Sequence, residues 1–353
     1  MAVGGIEMRN LLIISVFIAL SLLVTAFIVS RGKTDPIDPP GIASLEKVTL
    51  GDMEQWILIR SRDSSNPVLL WLHGGPGSSQ MPIARHFNGE LEWDFTVVHW
   101  DQRGAGRSNP RNFDESTMTI EQFVSDAHEL TQILKERFGK EKIFILGHSW
   151  GTRIGIELAT LYPEDYHAYI AVSQVTDPYR EQQLAYEWLK DEIELRGKKN
   201  DLRDFEKLGE PPFEEHERYV ALAKMVDSFG GGMDIGMLKL ASIAIGAPEY
   251  RLRDYVSWLR GSSRGSGPMW ESTLELNVFE DFPEIDIPVY FFSGRRDHNT
   301  PLQLVEEYYE KVKAPAGKSF IIFEQSAHAP FIGEPDIFNE KIRQIKSELL
   351  DSH

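Results

Sequence analysis

Residues Lys142–Gly151 (KIFILGHSWG) constrain this chain more than any other stretch. Lys142–Leu146 is a short apolar run of the kind expected for a strand buried on both faces, and Gly151–Tyr162 reads as a helix. The chain must therefore turn from strand to helix within Gly147-His148-Ser149-Trp150-Gly151, a G-x-S-x-G pattern. A turn that sharp holds the serine in a strained backbone conformation with its side chain exposed, and the residues two positions away on either side must be small. The helix start behind Ser149 adds partial positive charge where an oxyanion would develop. Ser149 is the candidate nucleophile.

The same grammar runs through most of the chain. Lys47–Leu50 and Gln55–Ser61 read as strands around a Gly51-Asp52 turn, and Pro67–Leu72 and Phe95–Trp100 as buried strands. A helical period follows from about Ile120 to Phe138, with Phe123, Ala127, Leu130 and Leu134 on one face. Tyr169–Val172, Ile287–Phe292 and Ser319–Phe323 are further strands. From about Asp177 to Glu280 the pattern is helical and charged, broken by Gly/Ser stretches at 230–232 and 261–267, with no convincing buried strand. Alternating strands and helices predict an α/β fold with a mostly parallel central sheet and helices on both faces. The middle block is then an inserted helical cap over the sheet's C-terminal edge, where such sheets bind ligands. The division expected is 47–176 for the first part of the core, 177–280 for the cap and 281–353 for the second part.

A serine hydroxyl needs a base, and the base an orienting acid. Asp297 follows the strand IPVYFFSG, and His328 follows SFIIFEQ, so both sit where a strand's C-terminal end delivers a side chain to the sheet edge. Their order, Ser, acid, His, is the one expected after a G-x-S-x-G turn. His298 adjoins the acid but lacks a strand end of its own. The glycines of His73–Gly77 (HGGPG) permit turns that aim backbone N–H groups inward, which makes Trp150 and Gly75, with Gly74 as the alternative, the expected oxyanion donors.

HGGPG at His73–Gly77, DQRGAGRS at Asp101–Ser108 and GHSWG at Gly147–Gly151 together resemble the prolyl aminopeptidase (proline iminopeptidase) family of α/β-hydrolases. The resemblance covers roughly 48–173 and 287–350. It implies the α/β-hydrolase fold and a cofactor-free serine peptidase that releases an N-terminal residue through an acyl-enzyme, with Ser149, Asp297 and His328 as the triad. Asp101 and Arg103 are expected to brace loops. An aminopeptidase must also bind a protonated α-amine, and the cap acids Glu187, Glu192, Glu194, Glu214, Glu215 and Glu271 match no pattern that would select one of them. The substrate-binding residues are left unassigned. The expected substrate is a small peptide or a small-molecule ester or amide. A carboxylesterase or lipase-like hydrolase is the alternative, and a non-catalytic binding module on the same fold is a remote one.

Composition excludes several other classes. The net charge of −17 disfavours nucleic acid as a partner. The absence of cysteine removes disulfides, a thiol nucleophile and a thiolate zinc site, and the ten histidines form no metal-ligand spacing. No metal is expected. The run Leu11–Ser30 carries no charge, and twenty helical residues span about 30 Å, the thickness of a bilayer's hydrocarbon. It exceeds a signal peptide's apolar region and no Ala-x-Ala-like site follows it. The expectation is thus an N-terminal segment, 1–33, with a single transmembrane helix over about 11–30, and a proline-rich spacer over 34–46. Arg9, Arg31 and Lys33 flank both ends, so orientation is weakly set; by analogy with short N-terminal anchors the catalytic domain is expected outside the cytoplasm.

Overall fold

The computed structural model describes residues 31–351 and, before them, Val16 alone. The run Leu11–Ser30, on which the transmembrane expectation rests, lies outside the described residues except for Val16. Among the described residues no helix is long and apolar enough to cross a membrane.

Eight strands form one sheet: β1 (Ile42–Leu50), β2 (Met53–Ser61), β3 (Val68–Leu72), β4 (Thr96–Asp101), β5 (Ile143–His148), β6 (Tyr166–Val172), β7 (Val289–Gly294) and β8 (Lys318–Phe323), in the order β1-β2-β4-β3-β5-β6-β7-β8. The first two strands join antiparallel, β2 is antiparallel to β4, and every later pairing is parallel. The strands β3, β4, β5 and β7 are buried along their whole length, which is why they read as unbroken apolar runs and not as alternating ones.

The helices are α1 (Met81–Asn88), α2 (Ile120–Phe138), α3 (Trp150–Leu161), α4 (Pro178–Arg196), α5 (Lys199–Leu208), α6 (His216–Ser228), α7 (Met237–Gly246), α8 (Asp254–Arg264), α9 (Trp270–Leu274), α10 (Leu302–Lys311) and α11 (Pro335–Leu350), with shorter turns between. Against one face of the sheet pack α2, α3 and α10, through Phe123, Leu130, Leu134, Ile154, Leu158 and Val305. The other face is covered by α1 and α11, through Ile83, Phe338, Ile342 and Ile345. The helix α2 starts where Thr119 Oγ1 accepts the Gln122 N–H and stops at Gly139, whose φ of 60° only a residue without a Cβ adopts freely. Helices α4 to α9 all fall between β6 and β7 and have a small apolar core of their own, built on Leu189, Phe213, Leu222 and Val226.

One boundary differs from the sequence reading. The first strand begins at Ile42, inside the expected spacer, because Ile42–Glu46 pair in register with Ile57–Ser61. The preceding residues are also held: Arg60 donates to Thr34 Oγ1 (2.6 Å) and to the Asp35 carbonyl (2.7 Å), so the proline-rich stretch lies against the domain.

Arg103 and Asp126 brace the loops beside the sheet. The guanidinium donates to both carboxylate oxygens (3.0 and 3.1 Å) and to the carbonyls of Leu50 and Gly51, with both side chains buried. Removing one partner strands a buried charge, so Arg103→Met is expected to lower the unfolding free energy by about 3–5 kcal/mol. Urea denaturation followed by far-ultraviolet circular dichroism measures it, and a loss under about 1 kcal/mol contradicts this account.

Candidate active site

Ser149 sits between β5 and α3 with φ 52° and ψ −123°, a conformation that costs a non-glycine residue energy and is held by its surroundings. Its N–H donates to the Val172 carbonyl (2.9 Å), and the Thr152 hydroxyl donates to its carbonyl (2.6 Å). The flanking glycines are sterically required. A Cβ on Gly151 would lie 2.1 Å from the Leu72 carbonyl oxygen, and one on Gly147 would lie 2.5 Å from that of Gly151.

Asp297 and His328 meet at the same sheet edge. The His328 ring donates from Nδ1 to Asp297 Oδ2 (2.9 Å) and lies 3.1 Å from Oδ1. Asp297 also accepts from the N–H groups of Asn299 (2.9 Å) and Thr300 (3.0 Å) and from the Thr300 hydroxyl (2.7 Å). Burial acts to raise this carboxyl, but the imidazole and the Thr300 bonds outweigh it and leave it below its ordinary range. Burial likewise disfavours charge on His328; Asp297, with Asp234 and Glu181 behind it, prevails and raises the ring above its ordinary 6.5. With Nδ1–H committed to Asp297, Nε2 is the nitrogen free to take a proton. Ser149 and His328 line one cleft with Gly75 and Trp150, and no hydrogen bond joins the hydroxyl to the ring in this structure. Gly74 packs instead against His148 and Ser149. His298 is turned away, stacked on Trp188 with ring centres 3.9 Å apart.

This arrangement, a strained serine at a helix start beside an Asp-oriented histidine, is suited to acyl transfer. A profile of the alpha/beta hydrolase fold matches residues 67–335. The chain belongs to the alpha/beta hydrolase fold family. Within it, the chain is similar to a probable aminopeptidase, YbaC, of Bacillus subtilis, at 33% identity over 302 residues, spanning 84% of this chain and 94% of that one. It is also similar to a proline iminopeptidase of Saccharolobus solfataricus, at 28% identity over 79% of this chain and 84% of that one. The crystal structure of a proline iminopeptidase from Mycobacterium smegmatis superimposes with a TM-score of 0.63 at 20% identity, over 88% of this chain and all of that one, a likeness of fold.

The motif DQRGAGRS has bracing roles in this hydrolase. Asp101 accepts from Ser79, from the Arg107 N–H (2.7 Å) and from the Tyr250 hydroxyl (2.6 Å), and burial pushes it up to about 6. His148, in the elbow itself, donates from Nε2 to the His328 carbonyl (2.8 Å) while Nδ1 accepts from Gln80 (2.6 Å). Burial, then the neighbouring His328, lowers its pKa to about 3, so it stays neutral.

Two functional residues escaped the sequence reading. Glu181, one turn into α4, faces the cleft beside Tyr219 and Trp270. Its Oε1 accepts from the Thr176 N–H (2.6 Å) and hydroxyl (3.0 Å), while Oε2 accepts no hydrogen bond from the described residues, and burial raises the carboxyl to about 8. Its only sequence signal is an acid in the first turn after the Asp177-Pro178 helix start, which reads as a response to the helix dipole. Asp234, in the cap's GGGMD loop, accepts from the N–H groups of Ala327 (2.6 Å) and Ala329 (2.8 Å), the two neighbours of His328. The six cap acids considered from sequence lie elsewhere: Glu192 pairs with Arg196, Glu215 with Arg218, and Glu214 and Glu271 line an outer cleft.

Asp234 is a positioning residue for His328. Asp234→Ala is expected to slow covalent labelling of the chain by a fluorophosphonate about 10- to 100-fold. Asp234→Asn, which keeps one acceptor, should recover part of that rate. Labelling at the parental rate in the alanine variant would remove Asp234 from this role.

Proposed function

We propose that this hydrolase is a serine aminopeptidase that releases a small N-terminal residue. Ser149 attacks the carbonyl carbon of that residue, His328 takes the hydroxyl proton and returns it to the departing amine, and Asp297 orients the ring and stabilises its charged form. The N–H groups of Trp150 and Gly75 face the developing oxyanion. Water, activated by His328, then hydrolyses the acyl-enzyme at Ser149. The aminopeptidase names of its relatives support this reading, and one observation carries it: Glu181, a cap carboxylate with an unengaged oxygen, lines the same cleft as Ser149. A substrate's α-ammonium supplies the partner that a buried carboxylate otherwise lacks.

The two ionisations fix a pH dependence. His328 acts as base only when neutral, above its raised pKa, and Glu181 binds an ammonium as the anion, favoured above about 8 in the empty cleft. The α-amine itself loses its proton near 8. The kcat/KM for proline- or alanine-β-naphthylamide should therefore rise above pH 6.5, peak near 8 and fall beyond, whereas a p-nitrophenyl ester should reach a plateau.

Ser149→Ala is expected to reduce turnover of both substrates by at least about 10⁴-fold. Glu181→Gln should raise KM for the aminoacyl amide about 10- to 100-fold and leave ester hydrolysis nearly unchanged. Equal losses on the two substrates would count against amine recognition and favour the carboxylesterase reading.

A further inference from the structure

Between residues 31 and 351, half of the large apolar side chains left exposed fall in one short stretch of the cap: Met237, Leu238, Ile245, Leu252, Val256 and Leu259. Leu238 is 89% exposed, and Val256 and Leu259 are 66% and 60% exposed. Their spacing is helical. Leu238 and Ile245 lie two turns apart on α7, and Val256 and Leu259 are neighbours at i, i+3 on α8, with Leu252 in the turn just before it. The opposite sides of these helices are engaged. Leu240 and Ala244 pack into the core, and Trp258 donates its indole N–H to the Ser79 carbonyl (2.8 Å). The bare side is a face with no partner among the described residues, and patches of this kind mark interaction surfaces.

Where the chain enters the domain points to what covers that face. Arg31 follows directly on the uncharged run Leu11–Ser30, and it is pinned where the two helices meet. It donates to the carbonyls of Tyr250 (2.9 Å) and Ile245 (2.6 Å) and to the Tyr255 hydroxyl (2.6 Å), while Tyr255 itself bonds the Ala244 carbonyl on α7 (2.5 Å). The next N–H, of Gly32, donates to the Pro248 carbonyl (2.7 Å). The chain thus enters the domain at Arg31, directly after a run long enough to cross a bilayer, beside these bare apolar side chains.

The local charge fits a membrane surface as well. The chain carries a net charge of −17, yet residues 236–263 hold four basic side chains, Lys239, Arg251, Arg253 and Arg260, against two acids. Those acids are themselves paired, Glu249 with Arg85 and Asp254 with both Arg107 and Arg253. Lys33, Lys239, Arg251 and Arg253 are exposed around the apolar side chains, the arrangement of interfacial helices that lie on anionic lipid.

We propose that this face of α7 and α8 rests on an anionic phospholipid bilayer, the same bilayer that takes up Leu11–Ser30. The inference is independent of the reaction assigned to Ser149. Because α8 ends against the loop of Gly75 and Gly77, where Gly261 and Gly265 leave no room for a side chain, the lipid-facing helix also forms the wall behind the oxyanion donors.

The absence of cysteine makes a direct test clean. The full-length chain carrying Leu238→Cys, Val256→Cys or Leu259→Cys is labelled with an environment-sensitive fluorophore and reconstituted into vesicles of phosphatidylcholine and phosphatidylglycerol containing doxyl-labelled lipid. Leu161→Cys and Leu195→Cys, equally exposed but away from the cap face, serve as references. The three face positions should be quenched several-fold more than the references and emit at shorter wavelength, and the difference should shrink when phosphatidylglycerol is omitted. Quenching no greater than at Leu195→Cys overturns the proposal. So does shielding of the face labels from both doxyl lipid and aqueous iodide, which would mean that a second copy, or residues 11–30 folded back, covers the face instead.

Discussion

The backbone of His328 is the point at which core and cap are joined, and the geometry of the cleft depends on it. From the core, His148 and Ser173 both donate to its carbonyl, at 2.8 and 3.0 Å. From the cap, the Gly232 carbonyl accepts its N–H at 2.9 Å, and Asp234 holds the N–H groups on either side. A histidine whose ring must serve Asp297 on one side and the serine on the other tolerates little backbone drift, since misplacement by about 1 Å can cost two orders of magnitude in rate. The cap therefore has a second task besides covering substrate. It supplies three of these five hydrogen bonds around His328.

Burial sets the charges around that joint. His73, His99 and His148 are lowered to about 4, 3 and 3 because burial disfavours the imidazolium, so they stay neutral, and His73 and His148 serve as hydrogen-bonding groups. Among the buried histidines His328 is the one raised, since Asp297 is in direct contact with its ring and Asp234 and Glu181 lie nearby. Three acids around one histidine favour its protonated form, which is the form His328 would reach as the proposed base on taking a proton from Ser149. Glu181 follows the opposite course. Burial first, and then the carboxylates of Asp297 and Asp177, push it up to about 8, a cost that a cationic ligand would relieve.

The core was legible because its strands are buried on both faces and its functional residues sit at strand ends. Runs such as Val68–Leu72 and Ile143–Leu146 announce themselves by apolarity alone, and Gly147 and Gly151 by the close approach that forbids a side chain. The order of Ser149, Asp297 and His328 along the chain then followed from the topology. The cap was not legible, for a physical reason. Its helices are short and largely exposed, with amphipathic patterns that fit several packings, so an inward carboxylate such as Glu181 looks like any first-turn acid. Asp234 lies in a loop whose meaning is set entirely by Ala327 and Ala329, more than ninety residues away. The proline-rich stretch was misjudged at one end because strand pairing at Ile42–Glu46 is decided by its partner strand and not by local propensity.

The cap is also fastened on the side remote from His328. Tyr250 donates to Asp101, Glu249 takes the Arg85 guanidinium, Arg107 donates to the Glu249 carbonyl (3.0 Å), and Arg31 ties the end of α7 to α8. Most of these groups are buried, and several are charged, so lifting the cap as a whole would expose unpaired charges at both ends. With the cap held in place, Pro178 of α4, Tyr219 and Ala223 of α6 and Trp270 of α9 border the cleft. Trp270 is shared with the outer cleft lined by Asp177, Glu214 and Glu271, and its indole N–H is held on the Glu214 carbonyl (2.8 Å). On the proposed aminopeptidase reading, Asp177, Glu214 and Glu271 of the outer cleft and Glu181 of the inner one would all favour an approaching cationic N-terminus.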